Sequence, residues 1–239
     1  MKTMKMLVVA MLLMSGVQVA NAQTSEEIIN KHIAAIGGKD SWNKLKTLKL
    51  EGTIKAQGAE IKLTIYQVDK KAKRENIALM GMTGYSIVTN TEGWNFMPFQ
   101  GQTKPEPITA DELKIEQNDL YLQDEFITYQ EMGKKLEFLG KDDFDGTECF
   151  KFKMTDKNAQ ETTYFIDANT YFTLKQTNKI KVNGQEMENS MVFADYKSQP
   201  EGFFYPMSIS SGFGEMQVTK IEINPTLEDS LFQLPKEGK

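Results

Sequence analysis

The sequence predicts a mainly β, α+β domain in which one long, curved antiparallel sheet forms an incomplete β-barrel. Three observations support this prediction. About a dozen segments alternate apolar and polar residues with period two, short turn sequences join most of them in meander order, and capping boxes mark only two helical segments. An N-terminal helix and a mid-chain helical insertion at about 105–130 are expected to cover the sheet.

Residues 1–22 have the pattern of a secretory signal peptide. Lysines precede an apolar run that is too short to span a bilayer, and Ala20, Asn21 and Ala22 form a small-x-small cleavage sequence before Gln23. We expect cleavage after Ala22 and a single mature domain at 23–239. The only cysteine, Cys149, lies far from the cleavage point, so neither a disulfide nor a lipobox anchor is expected. The expected location is the periplasm, with secretion as the alternative.

The first predicted elements are a helix and a hairpin. Thr24 and Glu27 form a capping box, apolar residues follow at helical spacing, and Gly37 and Gly38 end the helix. The period then changes to two, which predicts strands at 48–56 and 59–65 around a Gln-Gly turn. The same alternation predicts further strands at 73–80, 85–90, 93–99, 135–141, 148–155, 161–167, 171–182, 186–196, 203–211 and 216–223.

The insertion interrupts this run of strands. Prolines precede Thr109 and Glu112, which form the second capping box, and Leu120 and Phe126 lie along the helix expected to follow. Two modest helices are too small to fill a long curved sheet, so we expect an apolar cavity on its concave side. Flexible methionines would suit such a cavity or simply fill an irregular core; those expected to face inward are Met80, Met82, Met97, Met154, Met187, Met191 and Met207.

The candidate ligand-binding residues are the apolar residues expected to line this cavity. They are Leu50, Ile54, Ile61, Leu63, Ile65, Ile77, Leu79, Trp94, Phe96, Leu120, Phe126, Phe152, Met191, Phe193 and Met207. Alternation places Trp94 and Phe96 on one face of their strand, where they would either guard the cavity mouth or anchor the inserted helix to the sheet.

The sequence offers little material for catalysis or for binding a metal, a cofactor or nucleic acid. The net charge is −5, and Arg74 and His32 are the only residues of their kinds. His32 is expected at the surface. Asp142, Asp143 and Asp145 resemble part of a calcium loop, but the spacing predicts a hairpin turn. Nucleotide-binding, zinc-protease and nucleophile-elbow motifs are absent, and no carboxylate pair stands out for a hydrolase. We expect a monomer without enzymatic activity, metal or cofactor.

Several segments together resemble exported outer-membrane lipoprotein-sorting-like proteins of the LolA/LolB-like superfamily. They are residues 92–101, 164–170, 193–196 ahead of Gly202 and Pro206, and 223–225 ahead of Leu231 and Phe232, within a resemblance spanning 25–235. The resemblance implies an incomplete barrel whose apolar cavity carries lipoprotein acyl chains across the periplasm. The sequence departs from this family in two ways. The family's outer-membrane receptor is lipid-anchored, whereas no lipid anchor is expected here. The family's carriers depend on an arginine, for which Arg74 is the one candidate in this sequence.

The expected function is therefore non-covalent binding of an acyl-chain lipid or a lipoprotein, with membrane-bound donor and acceptor proteins as partners. The alternative is an envelope sensor or scaffold that binds a partner protein through the same fold. A transmembrane barrel is disfavoured because it has no place for two amphipathic helices. A hydrolase with an unrecognised site also stays open.

Overall fold

The computed structural model describes residues 23–56, 58–182, 185–212 and 214–235, and the predicted signal peptide lies outside them. The helices are α1 Ser25–Ala35, α2 Lys39–Asn43, α3 Ala110–Glu116 and α4 Glu125–Thr128, with short 3-10 turns at Pro98–Gln100, Gln117–Leu120 and Asp229–Phe232. The strands are β1 Thr47–Ala56, β2 Ala59–Val68, β3 Ala72–Leu79, β4 Met82–Thr89, β5 Gly93–Phe96, β6 Glu106–Pro107, β7 Lys135–Phe144, β8 Thr147–Thr155, β9 Glu161–Asp167, β10 Thr173–Val182, β11 Gln185–Ser198, β12 Phe204–Ser211 and β13 Gly214–Ile223.

All thirteen strands belong to one antiparallel sheet. Its order runs from β6 down to β1, then from β13 down to β7, so the first and last long strands pair at its centre. In the described part of the chain β6 and β7 end the sheet and do not pair, which leaves the barrel incomplete. The predicted fold class is confirmed, and each predicted strand has a counterpart; the two-residue β6 is not anticipated by the sequence.

Both predicted capping boxes form and fix where the covering helices begin. The Thr24 hydroxyl accepts from the Glu27 amide at 3.2 Å, and Glu27 accepts in return from the Thr24 amide. Thr109 and Glu112 repeat the arrangement at α3. The helices of the insertion therefore lie inside the predicted 105–130 segment. Within the described residues, no helix combines the length and apolarity needed to cross a membrane.

Helices cover one half of the concave face, which we call the packed half. Trp42 of α2 and Leu122 of the insertion pack with Leu48 and Leu50 of β1 and with Phe203. A second cluster joins Ile28 of α1 and Phe126 of α4 to the aromatic residues of β8 and β9. Burial of these side chains removes apolar area from water and holds the helices on the sheet.

A glycine allows the α1–α2 turn to approach the sheet closely. Gly37 has a φ of +104°, and a Cβ built on it would lie 2.2 Å from the Gly202 carbonyl oxygen. The neighbouring Phe204 amide donates to the Ile36 carbonyl at 2.9 Å. The Gly37 position thus joins the helical cover to the β11–β12 connection.

His32 is fully buried, so the expectation of a surface histidine is wrong. Its Nδ1 lies 2.7 Å from the Tyr171 carbonyl oxygen, and its Nε2 lies 3.4 Å from Asp124 Oδ1. The ring also packs edge-on against Phe126, with centroids 4.8 Å apart. His32 therefore connects α1 with the β9–β10 turn and with the start of α4.

The convex face carries a cluster of its own that the sequence did not predict. Tyr85 and Ile87 of β4 are buried there beneath Phe232 from the C-terminal 3-10 turn. Arg74 of β3 donates from Nη1 to the Leu231 carbonyl at 2.9 Å, and its guanidinium lies 4.7 Å from the centre of the Tyr85 ring. Arg74 thus holds the C-terminal segment against the outside of the sheet.

Candidate functional site

Beyond the packed half, the concave face carries rows of partly exposed apolar side chains. One row is fixed by cross-strand register: Ile61 pairs with Ile54, Ile54 with Met216, Met216 with Ile209, and Ile209 with Phe193. This row crosses five strands, which is about 19 Å around the curve at the usual strand spacing. Its members come from both halves of the sequence and meet because β1 pairs with β13.

A second row lies one inner position closer to the packed half. Gly84 pairs with Ile77, Ile77 with Leu63, Leu63 with Gly52, and Gly52 with Val218. Gly52 leaves room for the Met216 side chain, whose Cγ would be 3.4 Å from a Cβ built on the glycine. We call the surface formed by both rows the trough.

The trough is open to solvent, whereas the sequence predicted a cavity. Leu63, Ile77 and the five residues of the first row are partly exposed, whereas Val218 is buried in the packed half. Two hollows with mainly polar walls lie elsewhere. One of them, about 280 Å³, lies beside α2 and α4. An apolar ligand would therefore bind on an exposed surface and would shield that surface from water.

The exposed tip of the β3–β4 hairpin extends one edge of the trough. Met80 is 83% exposed and Met82 is 40% exposed, although Met80 was expected to face inward. Met80 has a φ of 52° and Gly81 a φ of 80°, as in a tight hairpin turn. Met80 therefore points away from the sheet because it occupies the turn.

Five of the predicted binding residues belong to the two rows of the trough: Ile54, Ile61, Leu63, Ile77 and Phe193. Leu79 of β3 and Met191 of β11 lie on the same face, one inner position beyond Ile77 and Phe193. Ile65 and Met207 pack at its boundary with the packed half. Ile209 and Met216 are not among the predicted binding residues, although both alternate with polar neighbours in predicted strands.

The other predicted residues lie away from the trough. Leu50, Leu120, Phe126 and Phe152 are buried in the packed half or its cover. Trp94 and Phe96 share one face, as predicted, but their partners Ile87 and Tyr85 belong to the convex cluster. Both aromatic residues therefore lie on the side of the sheet opposite the trough, and Trp94 pairs with Pro107 at the start of the insertion. Arg74 lies on that side as well.

The described residues that form the two rows of the trough are apolar residues and glycines. Among the described residues no group of three or more histidine, cysteine or acidic side chains could hold a metal ion. The predicted hairpin turn at Asp145 and Gly146 is confirmed, with φ values of 51° and 77°. Cys149 is fully buried, and burial raises the pKa of its thiol to about 11, so it is a poor nucleophile at neutral pH.

Structural comparison finds similar folds among solved proteins. A LolA superfamily protein from Nitrosomonas europaea superposes with a TM-score of 0.57 at 13% identity, covering 89% of this chain and 99% of the other. The fold is LolA-like. A domain from Vibrio parahaemolyticus, described as an outer membrane lipoprotein-sorting protein, gives a TM-score of 0.52 at 15% identity, covering 86% and 94% of the two chains.

A third protein with a similar fold is a DUF1329 family protein from Desulfovibrio piger. It gives a TM-score of 0.54 at 11% identity, and the match covers 87% of this chain and 96% of that protein. No family model and no curated protein sequence matches the chain. The LolA-like similarity therefore concerns the fold, and function has to be inferred from the trough itself.

Proposed function

We propose that this protein binds an acyl chain of a lipid or lipoprotein in the trough, without covalent chemistry. The observation that carries the proposal is the continuous apolar surface made by Ile61, Ile54, Met216, Ile209 and Phe193 on the concave side of a LolA-like sheet. Contiguous exposed apolar surface is unfavourable in water and is typical of a binding site.

The energetics suit a carrier. Each methylene of an acyl chain costs about 0.8 kcal/mol in water, so a chain of roughly fifteen methylenes costs on the order of 10 kcal/mol when bare. A trough shields one side of such a chain and leaves the other side free. Binding is therefore loose enough for the ligand to be handed on, as transfer between donor and acceptor requires.

The proposal includes the cellular setting. The signal peptide at 1–22 would deliver a single domain, 23–239, to the periplasm. There the protein would act as a monomer between membrane-bound donor and acceptor proteins. The resemblance to lipoprotein-sorting proteins and the LolA-like fold support this setting.

A fluorescence experiment tests the proposal. N-phenyl-1-naphthylamine is an uncharged dye that brightens in apolar surroundings, and monopalmitoylglycerol is an uncharged acyl ligand. We expect the dye to bind and the glyceride to displace it. The displacement should saturate near one glyceride molecule per protein chain. Dye fluorescence that stays at its value in buffer, together with no glyceride binding by calorimetry, would overturn the proposal.

A second candidate function is binding of a partner protein, and the free edge of β7 favours it. This ten-residue strand ends the described sheet, and its Leu139 is 43% exposed. An extended peptide could add to this edge as a further strand. The bulge between Phe138 and Gly140 interrupts the edge and limits such pairing to short segments. Substitution of Leu139 by lysine would weaken a partner complex and leave dye binding unchanged.

A further inference from the structure

One end of the trough is polar. Along the inner side of β3, Leu79 and Ile77 are followed by Glu75 and then Lys73, towards the packed half. Successive inner positions are about 6.6 Å apart in a strand. Lys73 is only 16% exposed, and its Nζ lies 2.7 Å from Glu75 Oε1. An acyl chain lying against Ile77 would therefore end next to this ion pair.

The insertion adds two more carboxylates at the same place. Asp119 Oδ2 lies 3.9 Å from Lys73 Nζ, and the Asp119 carbonyl accepts from Gln67 Nε2 at 2.8 Å, which fixes the turn over the sheet. Glu116 is half-buried beside them. Burial and the neighbouring charge of Asp119 raise the pKa of Glu116, whereas Lys73 opposes that change.

This acidic end, formed by Lys73, Glu75, Glu116 and Asp119, has three carboxylates for one ammonium. A fatty-acid carboxylate would meet like charges in a region partly shielded from water, where electrostatic repulsion is stronger than in bulk solvent. A glycerol head carries no charge, and its hydroxyl groups can donate hydrogen bonds to carboxylate oxygens.

We propose that the acidic end makes the trough selective for acyl ligands with an uncharged, hydroxyl-bearing head, and against free fatty acids. This inference rests on the proposed function. It also gives Glu116 and Asp119 of the insertion a role in specificity in addition to covering the sheet.

The test compares two ligands with the same chain. Monopalmitoylglycerol and palmitate are titrated below their aggregation concentrations, at pH 8 and low salt, against N-phenyl-1-naphthylamine. We expect the unsubstituted protein to bind monopalmitoylglycerol at least tenfold more tightly than it binds palmitate. Palmitate should bind the Glu116→Gln variant at least threefold more tightly than it binds the unsubstituted protein. The preference for the glyceride, which is the ratio of the two dissociation constants, should therefore decrease.

Glu60→Gln is the matched control, because Glu60 is exposed on the convex side of β2 and its loss changes the net charge equally. Glu60→Gln should keep the preference for the glyceride over palmitate that the unsubstituted protein has. Asp119→Asn provides a second variant if Glu116→Gln folds poorly. Equal binding of the two ligands, or equal effects of Glu116→Gln and Glu60→Gln, would refute the selectivity while the trough proposal stands. Failure of both ligands to bind would refute the two proposals together.

Discussion

Leu63 offers the sharpest test of the trough, because the neighbouring residue on β2 supplies a matched control. Leu63 is partly exposed on the concave side between Gly52 and Ile77, whereas Thr64 is on the convex side between Glu51 and Asn76. A lysine at either position adds the same charge at nearly the same place in the chain. Only Leu63→Lys puts that charge in the trough.

The expected loss of affinity follows from the exposed surface of Leu63. Full burial of a leucine side chain is worth about 1.5–3 kcal/mol, and the ligand covers only the part still exposed, so the apolar contribution is about 1 kcal/mol. Bringing an acyl chain against an ammonium group costs at least about 1–2 kcal/mol more, even when the lysine extends towards solvent. The sum is about 2–3 kcal/mol, or roughly 30- to 150-fold weaker binding.

The assay is dye displacement by monopalmitoylglycerol, with thermal unfolding measured for each variant. Thr64→Lys should bind within twofold of the unsubstituted protein, since its lysine faces Glu51 across the strands. Leu63→Lys should unfold at a similar temperature, because its side chain is only partly buried. Unchanged affinity in Leu63→Lys, or an equal loss in Thr64→Lys, would refute the assignment of the trough.

Three other predictions concern the scaffold. Arg74→Ala should lower the free energy of unfolding by about 1–3 kcal/mol and expose the C-terminal segment to proteases, with dye binding unchanged; a loss of binding at unchanged stability would place Arg74 in the site after all. His32→Ala should cost about 2–4 kcal/mol in chemical denaturation, and a cost near zero would contradict its linking role. Cys149 should resist a thiol reagent at pH 8 until the protein is denatured, because its thiol is buried and its pKa is raised to about 11; rapid labelling of the native protein would contradict this.

The sequence predicts the fold well where local chemistry determines the structure. Period-two alternation identifies the long strands, and the Thr24 and Thr109 capping boxes mark where two helices begin. Both signals operate within a few residues, so they need no knowledge of the rest of the chain.

The faces of β4 and β5 could not be predicted in the same way. Ile87 and Val88 are adjacent and both buried, because the Gln117–Leu120 turn of the insertion packs on β4 and the C-terminal turn covers its convex side. Alternation therefore shows that Trp94 and Phe96 share a face but does not identify the face. His32 was misplaced for a related reason, since Tyr171 and Asp124 are 139 and 92 residues away in sequence.

Ile209 of β12 and Met216 of β13 were not predicted as site residues, because the trough residues of β1 and β2 are far from them in sequence. Met216 joins the trough through its pairing with Ile54 of β1, a contact between opposite ends of the domain. Register across such a contact depends on the bulge between Glu51 and Gly52, which has no clear sequence signature.

Native mass spectrometry of the mature domain, purified from a periplasm and then extracted with organic solvent, tests the central claim most directly. We predict a lipid or lipopeptide bound at one per chain and released on extraction, and a Leu63→Lys protein prepared in parallel that carries none. A mature domain that is empty, and that stays empty after incubation with monopalmitoylglycerol, would contradict acyl-chain binding in the trough.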